Sequence, residues 1–176
     1  MISLNFAFWL LVILFGLIGM MRGWAKELLV SFSVILALAF NSLLIRYIPV
    51  IKALPTDDTP LFWIRITIVT TLVFFGYQTV GLPRFASKAN REKLQDSLLG
   101  FVLGAMNGFL VVGTVWFYLA EANYPFSEYI TPPIAGTPMG EAAISLIPIL
   151  APRLLGEPAI YFAVILCFIF VLVVFI

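Results

Sequence analysis

The chain has 176 residues, of which 62% are hydrophobic and 11% charged, with a net charge of +1, whereas soluble domains carry about 25% charged residues. So small a charged fraction excludes a water-soluble globule, and so even a balance offers no surface for nucleic acid or an acidic partner. There is no histidine and the only cysteine is Cys167, which rules out internal disulfides, Cys/His metal centres and Ser–His chemistry, so neither a metal nor a cofactor is expected.

A membrane helix needs about 20 mostly apolar residues, within a range of about 17–25. Five segments qualify, 4–21, 28–45, 61–82, 98–120 and 159–176. The expected fold is therefore all-α, a polytopic helix bundle with the lipid bilayer as its solvent. No Lys or Arg precedes the first apolar run and no small-residue cleavage site follows it, so it is expected to stay as a span rather than leave as a signal peptide. The terminal apolar run resembles a lipid-anchor signal in outline only, because four further spans precede it.

The first connector, 22–27, is six residues long and predicts a tight helical hairpin. One continuous helix over both spans would run about 60 Å at 1.5 Å per residue, twice the hydrocarbon thickness. A break near Gly23 avoids this. If helical spacing continues, Gly16, Gly19, Gly23 and Glu27 share one face and Arg22 stands nearly opposite. This set reads either as a packing groove ending in an interfacial carboxylate or as a Glu27 held against a buried basic partner.

The second connector, 46–60, carries Pro49, Pro55 and Pro60 and is expected to be irregular. Asp57 and Asp58 have no third carboxylate nearby and read as a solvated turn, with Tyr47 and Trp63 at interfacial positions. Arg65 lies four residues into its apolar run, shallow enough for its side chain to snorkel to the headgroups. Asn41 and Gln78 stand near helix ends and suggest no special role.

The third connector, 83–96, is the most basic stretch, with Arg84, Lys88, Arg91 and Lys93. Together with Arg22 and Lys26 it places the first and third connectors in the cytoplasm by the positive-inside rule. The N-terminus then faces outward and the C-terminus ends inside. Asp96 is expected to supply a carboxylate at the positive start of the fourth span. Within that span Gly100, Gly104 and Gly108 recur every four residues. In water each interior glycine costs about 1 kcal/mol against alanine, whereas in lipid the same spacing is a flat stripe for another helix, with Gly19 and Gly23 as the candidate facing surface. Asn107, on this stripe at mid-span, should bond to a neighbouring helix; the alternative is a polar lining for a conduction path.

The fourth connector, 121–158, is too apolar around 139–155 for a free loop and too rich in proline for one helix. Short helical pieces broken at Pro148 and Pro152 are expected on the outer face, with Tyr124, Phe126 and Tyr129 as aromatic belt residues. They read as a cap over the bundle or as a surface for a partner or ligand.

Two of these segments together resemble the colicin V production protein (CvpA) family. They are Gly19-Met-Met-Arg-Gly23-Trp-Ala-Lys-Glu27 and Asp96-Ser-Leu-Leu-Gly100-Phe-Val-Leu-Gly104-Ala-Met-Asn-Gly108. The stretch from Ser145 to Pro148 is similar to the family's Ser-x-x-Pro segment, and the resemblance runs from about Asn5 to Leu155. Where members often carry arginines, this chain has Ser97 and Asn107. The resemblance implies a membrane domain over 1–155 with 159–176 as an added C-terminal helix, in a bacterial inner-membrane protein linked to colicin V production or export and to envelope homeostasis. It supplies no catalytic residue. A non-enzymatic protein acting through a homo-oligomer or a membrane-protein partner is the leading reading; an oligomeric channel or transporter subunit is the other.

Overall fold

The computed structural model describes residues 3–57, 59–78 and 90–175. Asp58, the end of the third expected span at 79–82, and Arg84 and Lys88 lie outside the described residues. All regular structure among the described residues is helical. In chain order it comprises α1 (Leu4–Arg22), α2 (Trp24–Tyr47), α3 (Pro49–Lys52), α4 (Thr59–Tyr77), α5 (Asn90–Glu121), α6 (Pro138–Leu146), a 3-10 turn (Ile147–Ile149), α7 (Ala151–Leu154) and α8 (Ala159–Phe175).

Four of these helices, α1, α2, α4 and most of α5 (Lys93–Glu121), are long and apolar enough to cross a membrane. The chain is a multi-pass membrane protein. The stretches Pro138–Leu154 and Ala159–Val173 pass the same test only together, bent by 57° at the break between them. Phe32 of α2 meets Phe170 of α8 edge to face at 5.7 Å, and Ile160 at the start of α8 is buried.

The break expected near Gly23 is present, and α1 and α2 run in opposite senses along α5. The six-residue connector shrinks to Gly23 alone, because Ala25, Lys26, Glu27 and Leu28 are competent helix formers and α2 begins at Trp24. Helix α1 then packs mainly along α5, not α2. The pair is antiparallel: Gly19 meets Gly100 and Gly104, Phe15 meets Gly104 and Gly108, and Phe8 reaches Phe109 and Trp116 at 5.5 and 5.4 Å between ring centroids. Helix α2 runs through the centre, against α4 and α5 on two sides and α8 on a third. Val30, Val34 and Ala37 of α2 are fully buried there.

Leu10, Ile13, Leu14 and Leu17 on α1 and Phe162, Leu166 and Phe168 on α8 are exposed. In water they would form one of the large apolar patches that monomers avoid. In a bilayer they are the face the lipid solvates.

The second connector is more ordered than expected, since Pro49 opens the short helix α3 from its first turn, where its missing N–H is no loss. The fourth connector forms the expected helical pieces. Thr137 caps α6 by accepting from Gly140 N at 3.1 Å. Pro148 sits in the 3-10 turn, whereas Pro152 starts α7 instead of breaking a helix. Tyr124 is buried, and Trp116 Nε1 donates to its hydroxyl at 3.2 Å. It is an internal anchor, not a belt residue. Tyr129 is exposed, and Phe126 packs edge to face on both Phe62 and Trp63 at 5.8 Å.

Candidate functional site

Three helices that meet at Gly23 bring most of the candidate residues together. Gly23 has φ +86° and ψ 157°, a backbone that an L side chain rarely adopts and glycine takes without strain. It ends α1, with its N–H donating to Gly19 O at 2.9 Å, and it starts α2. The turn redirects the chain so that Arg22 faces Glu27 instead of standing opposite it. Arg22 Nη1 donates to Glu27 Oε1 at 2.6 Å, Nη2 donates to the Tyr77 carbonyl at 3.1 Å, and the guanidinium lies 4.3 Å from the Tyr77 ring centroid.

Glu27 has no solvent exposure, whereas Arg22 keeps 19% of its side chain exposed. Of the two readings of Glu27, the structure shows the carboxylate held by a basic partner. Asn107, also fully buried, donates from Nδ2 to Glu27 Oε2 and to the Glu27 carbonyl, both at 2.8 Å. The Ser31 hydroxyl donates to Asn107 Oδ1 at 2.6 Å, with the Glu27 carbonyl 3.2 Å away as its other acceptor. The expected interhelical bond of Asn107 is present, and it clamps α5 to α2. Both Glu27 oxygens are occupied, as a buried carboxylate requires.

Asp96 plays a different part from the one expected. Helix α5 is already helical at Asn90, because the polar run through Gln95 continues the helix below the apolar span. Asp96 therefore stands inside α5 and accepts from Trp24 N at 3.1 Å, capping the start of α2 from a separate helix. A Cβ at Gly23 would come within 2.7 Å of Asp96 Oδ2, so the glycine also makes room for the cap. Asp96→Ala should lower stability by about 0.5–2 kcal/mol, the usual size of a lost N-cap, and speed exchange of the Trp24 amide. Unchanged exchange would show that this bond does not hold α2.

Arg65 lies apart from this cluster. It does not snorkel: it is 7% exposed and Nη1 donates to Glu121 Oε2 at 2.5 Å, with the guanidinium 4.9 Å from the Tyr118 ring centroid. Glu121 ends α5 at the level where α4 begins, and this counter-charge draws the arginine inward. Asn41 is also buried and donates to the Arg65 carbonyl at 3.4 Å, so it joins α2 to α4 and is not an idle helix-end residue. Gln78 is exposed just beyond α4.

A third polar contact ties the start of α8 to α2. Glu157 accepts from Ser42 at 2.5 Å, Tyr161 at 2.7 Å and Arg46 at 2.6 Å. The Ser42 and Tyr161 hydroxyls, then the Arg46 charge, hold its carboxyl below the usual carboxylate range. This attachment is complete at neutral pH and is lost as pH falls through that depressed value.

Ser31, Tyr77, Asn41, Glu121 and Glu157 were not among the expected site residues. Ser31 is four residues from Glu27 and shares its helix face, a signal legible in sequence. Tyr77 and Glu121 come from distant segments and carry no local signal. Among the described residues no three His, Cys, Asp or Glu side chains gather as a metal site would need.

The sequence profile of the colicin V production protein family matches residues 4–133. The match takes in α1 to α5, and with them the Gly23 turn, the Arg22–Glu27–Asn107 cluster and the glycine contact. No curated protein and no solved structure matches the chain. The family match covers well over half of the sequence, and the chain belongs to the colicin V production protein family.

Proposed function

We propose that the chain is a non-enzymatic protein of the bacterial inner membrane that supports toxin production and export or envelope homeostasis, and that it does so by associating with a second copy or with another membrane protein. One observation carries this reading over a conduction path: the buried acid and amide where α1, α2 and α5 meet satisfy each other. Glu27 and Asn107 are fully buried and bonded to each other, to Arg22 and to Ser31. Such a network fixes helices in place and turns the polar groups of Glu27, Asn107 and Ser31 toward one another. The glycine stripe is occupied within the chain, so association falls to the apolar outer faces.

The other reading is an oligomeric channel or transporter subunit, whose path would run between copies. Proteoliposomes separate the two. The scaffold reading expects no ion or solute flux from the wild-type protein, and flux that Asn107→Leu abolishes would overturn it. In a colicin-V-producing strain lacking its own family member, the chain should restore toxin release or envelope integrity; failure of well-expressed protein to restore either would sink the assignment. The basic segment 83–96 supports a cytoplasmic third connector. A reporter fused after Lys88 should therefore read cytoplasmic, and a periplasmic signal would reverse the orientation.

A further inference from the structure

We propose that the cavity at the Glu121 end of the bundle binds the phosphodiester headgroup of a membrane phospholipid. The cavity holds about 430 Å³ and lies among Asn41, Ser42, Arg65, Glu121, Arg153 and Glu157. These come from the last third of α2, the N-terminal part of α4, the end of α5, α7 and the bend that follows it. All stand at one end of the spans, and Glu121 is the last residue of the span Lys93–Glu121. That is headgroup depth.

The charges around the cavity do not balance. Glu121 is taken by Arg65 at 2.5 Å and Glu157 by Arg46 at 2.6 Å. Arg153 has no ion-pair partner among the described residues. Arg65 and Arg153 match Glu121 and Glu157 in the lining itself, but Arg46, just outside it, neutralises Glu157, so the lining and this adjoining pair together carry one surplus positive charge, the complement of a phosphodiester monoanion.

The hydrogen-bond inventory points the same way. Arg65 is 7% exposed, and its Nε–H meets no acceptor among the described residues. A buried donor left so pays its desolvation cost with nothing in return. A phosphodiester offers several acceptor oxygens and no competing donor, and guanidinium groups match that geometry well. A single water, of about 30 Å³, would satisfy the Nε–H but would leave Arg153 unmatched and most of the cavity unfilled. Lipid is the phosphodiester present at this depth in quantity, with acyl chains free to lie along the exposed apolar helix faces.

The test uses the full chain, purified in a maltoside detergent and stripped of lipid. Short-chain phosphatidylglycerol, a diacylglycerol with the same chains and inorganic phosphate are each titrated, with the melting temperature and native mass spectrometry as readouts. Phosphatidylglycerol should bind and raise the melting temperature, diacylglycerol should not, and inorganic phosphate should bind at least tenfold more weakly. Arg153 is exposed, so Arg153→Gln should fold normally and bind the phospholipid at least tenfold more weakly. Arg65→Lys keeps a charge for Glu121 but loses the Nε–H and the planar fork of the guanidinium, and should weaken binding similarly. Equal shifts from diacylglycerol and phosphatidylglycerol would reduce the effect to the acyl chains. Equal binding of inorganic phosphate would make the occupant a free anion, and wild-type affinity in Arg153→Gln would remove the site altogether. Any of these three results overturns the proposal.

Discussion

Gly104→Ala should pull α1 away from α5 and leave the protein unable to hold its native bundle in detergent. A Cβ at Gly104 would stand 2.5 Å from the Phe15 carbonyl oxygen and 2.8 Å from the Gly19 Cα, and one at Gly19 would stand 2.7 Å from the Gly104 Cα and closer still to the Gly100 carbonyl. The obstructing atoms are backbone, so no rotamer change relieves them and the helices must separate. Overpacking a core typically costs about 1–3 kcal/mol, and a backbone clash in the longest helix contact of the bundle belongs at or above the top of that range. Helix association in lipid has no hydrophobic drive between the helices and depends on close packing, so a widened gap is not offset elsewhere. Gly19→Ala should behave alike. Val102→Ala, at an exposed position on α5, is the control and should unfold at the wild-type midpoint. Gly104→Leu should be worse than Gly104→Ala, and Leu103→Ala much milder than either. Wild-type stability in Gly19→Ala and Gly104→Ala would mean that the two helices do not approach this closely.

That prediction was legible from spacing alone, and the reason is physical. Four-residue glycine intervals in an apolar run have few uses other than close helix contact, so Gly100, Gly104 and Gly19 announce themselves. The long-range pairings were not legible. Asp96 belongs to α5 but caps α2, because the polar residues after Asn90 extend α5 past its apolar limit and carry Asp96 away from the helix start. Arg65 read as a snorkelling residue because its partner Glu121 is 56 positions away, and no periodicity links them. Helical spacing puts Arg22 opposite Glu27 only if it continues through Gly23, and the positive φ of that residue cancels it. In each case the local pattern gave the element and the tertiary contact gave the role. Glycine is where the two diverge most, since its freedom shows in the sequence while the angle it takes does not.

Arg22→Met should destabilise the bundle more than Glu27→Gln, and the two together should do less damage than Arg22→Met alone. The asymmetry follows from burial. Glu27 is wholly buried and Arg22 is 19% exposed. Removing the arginine leaves a carboxylate in the interior with Asn107 as its remaining side-chain partner, and an uncompensated buried charge costs about 3–5 kcal/mol. Removing the carboxylate charge is gentler. Arg22 keeps the Tyr77 carbonyl, the face of the Tyr77 ring and some access to solvent, while the amide at position 27 can still accept from Asn107. In the double variant no buried charge is left, so a coupling of about 2 kcal/mol is expected between the two sites, within the 0.5–3 kcal/mol range seen for residues in direct contact. Unfolding of the four proteins in bicelles would measure it. Strict additivity would show that the pair is not coupled through the buried ion pair. Complementation then separates structure from function: under the scaffold reading the charges only hold α1 and α2 in place. A stable double variant should therefore restore the phenotype as well as wild type does, and a stable double variant that fails would assign the Arg22–Glu27 charges a task beyond packing.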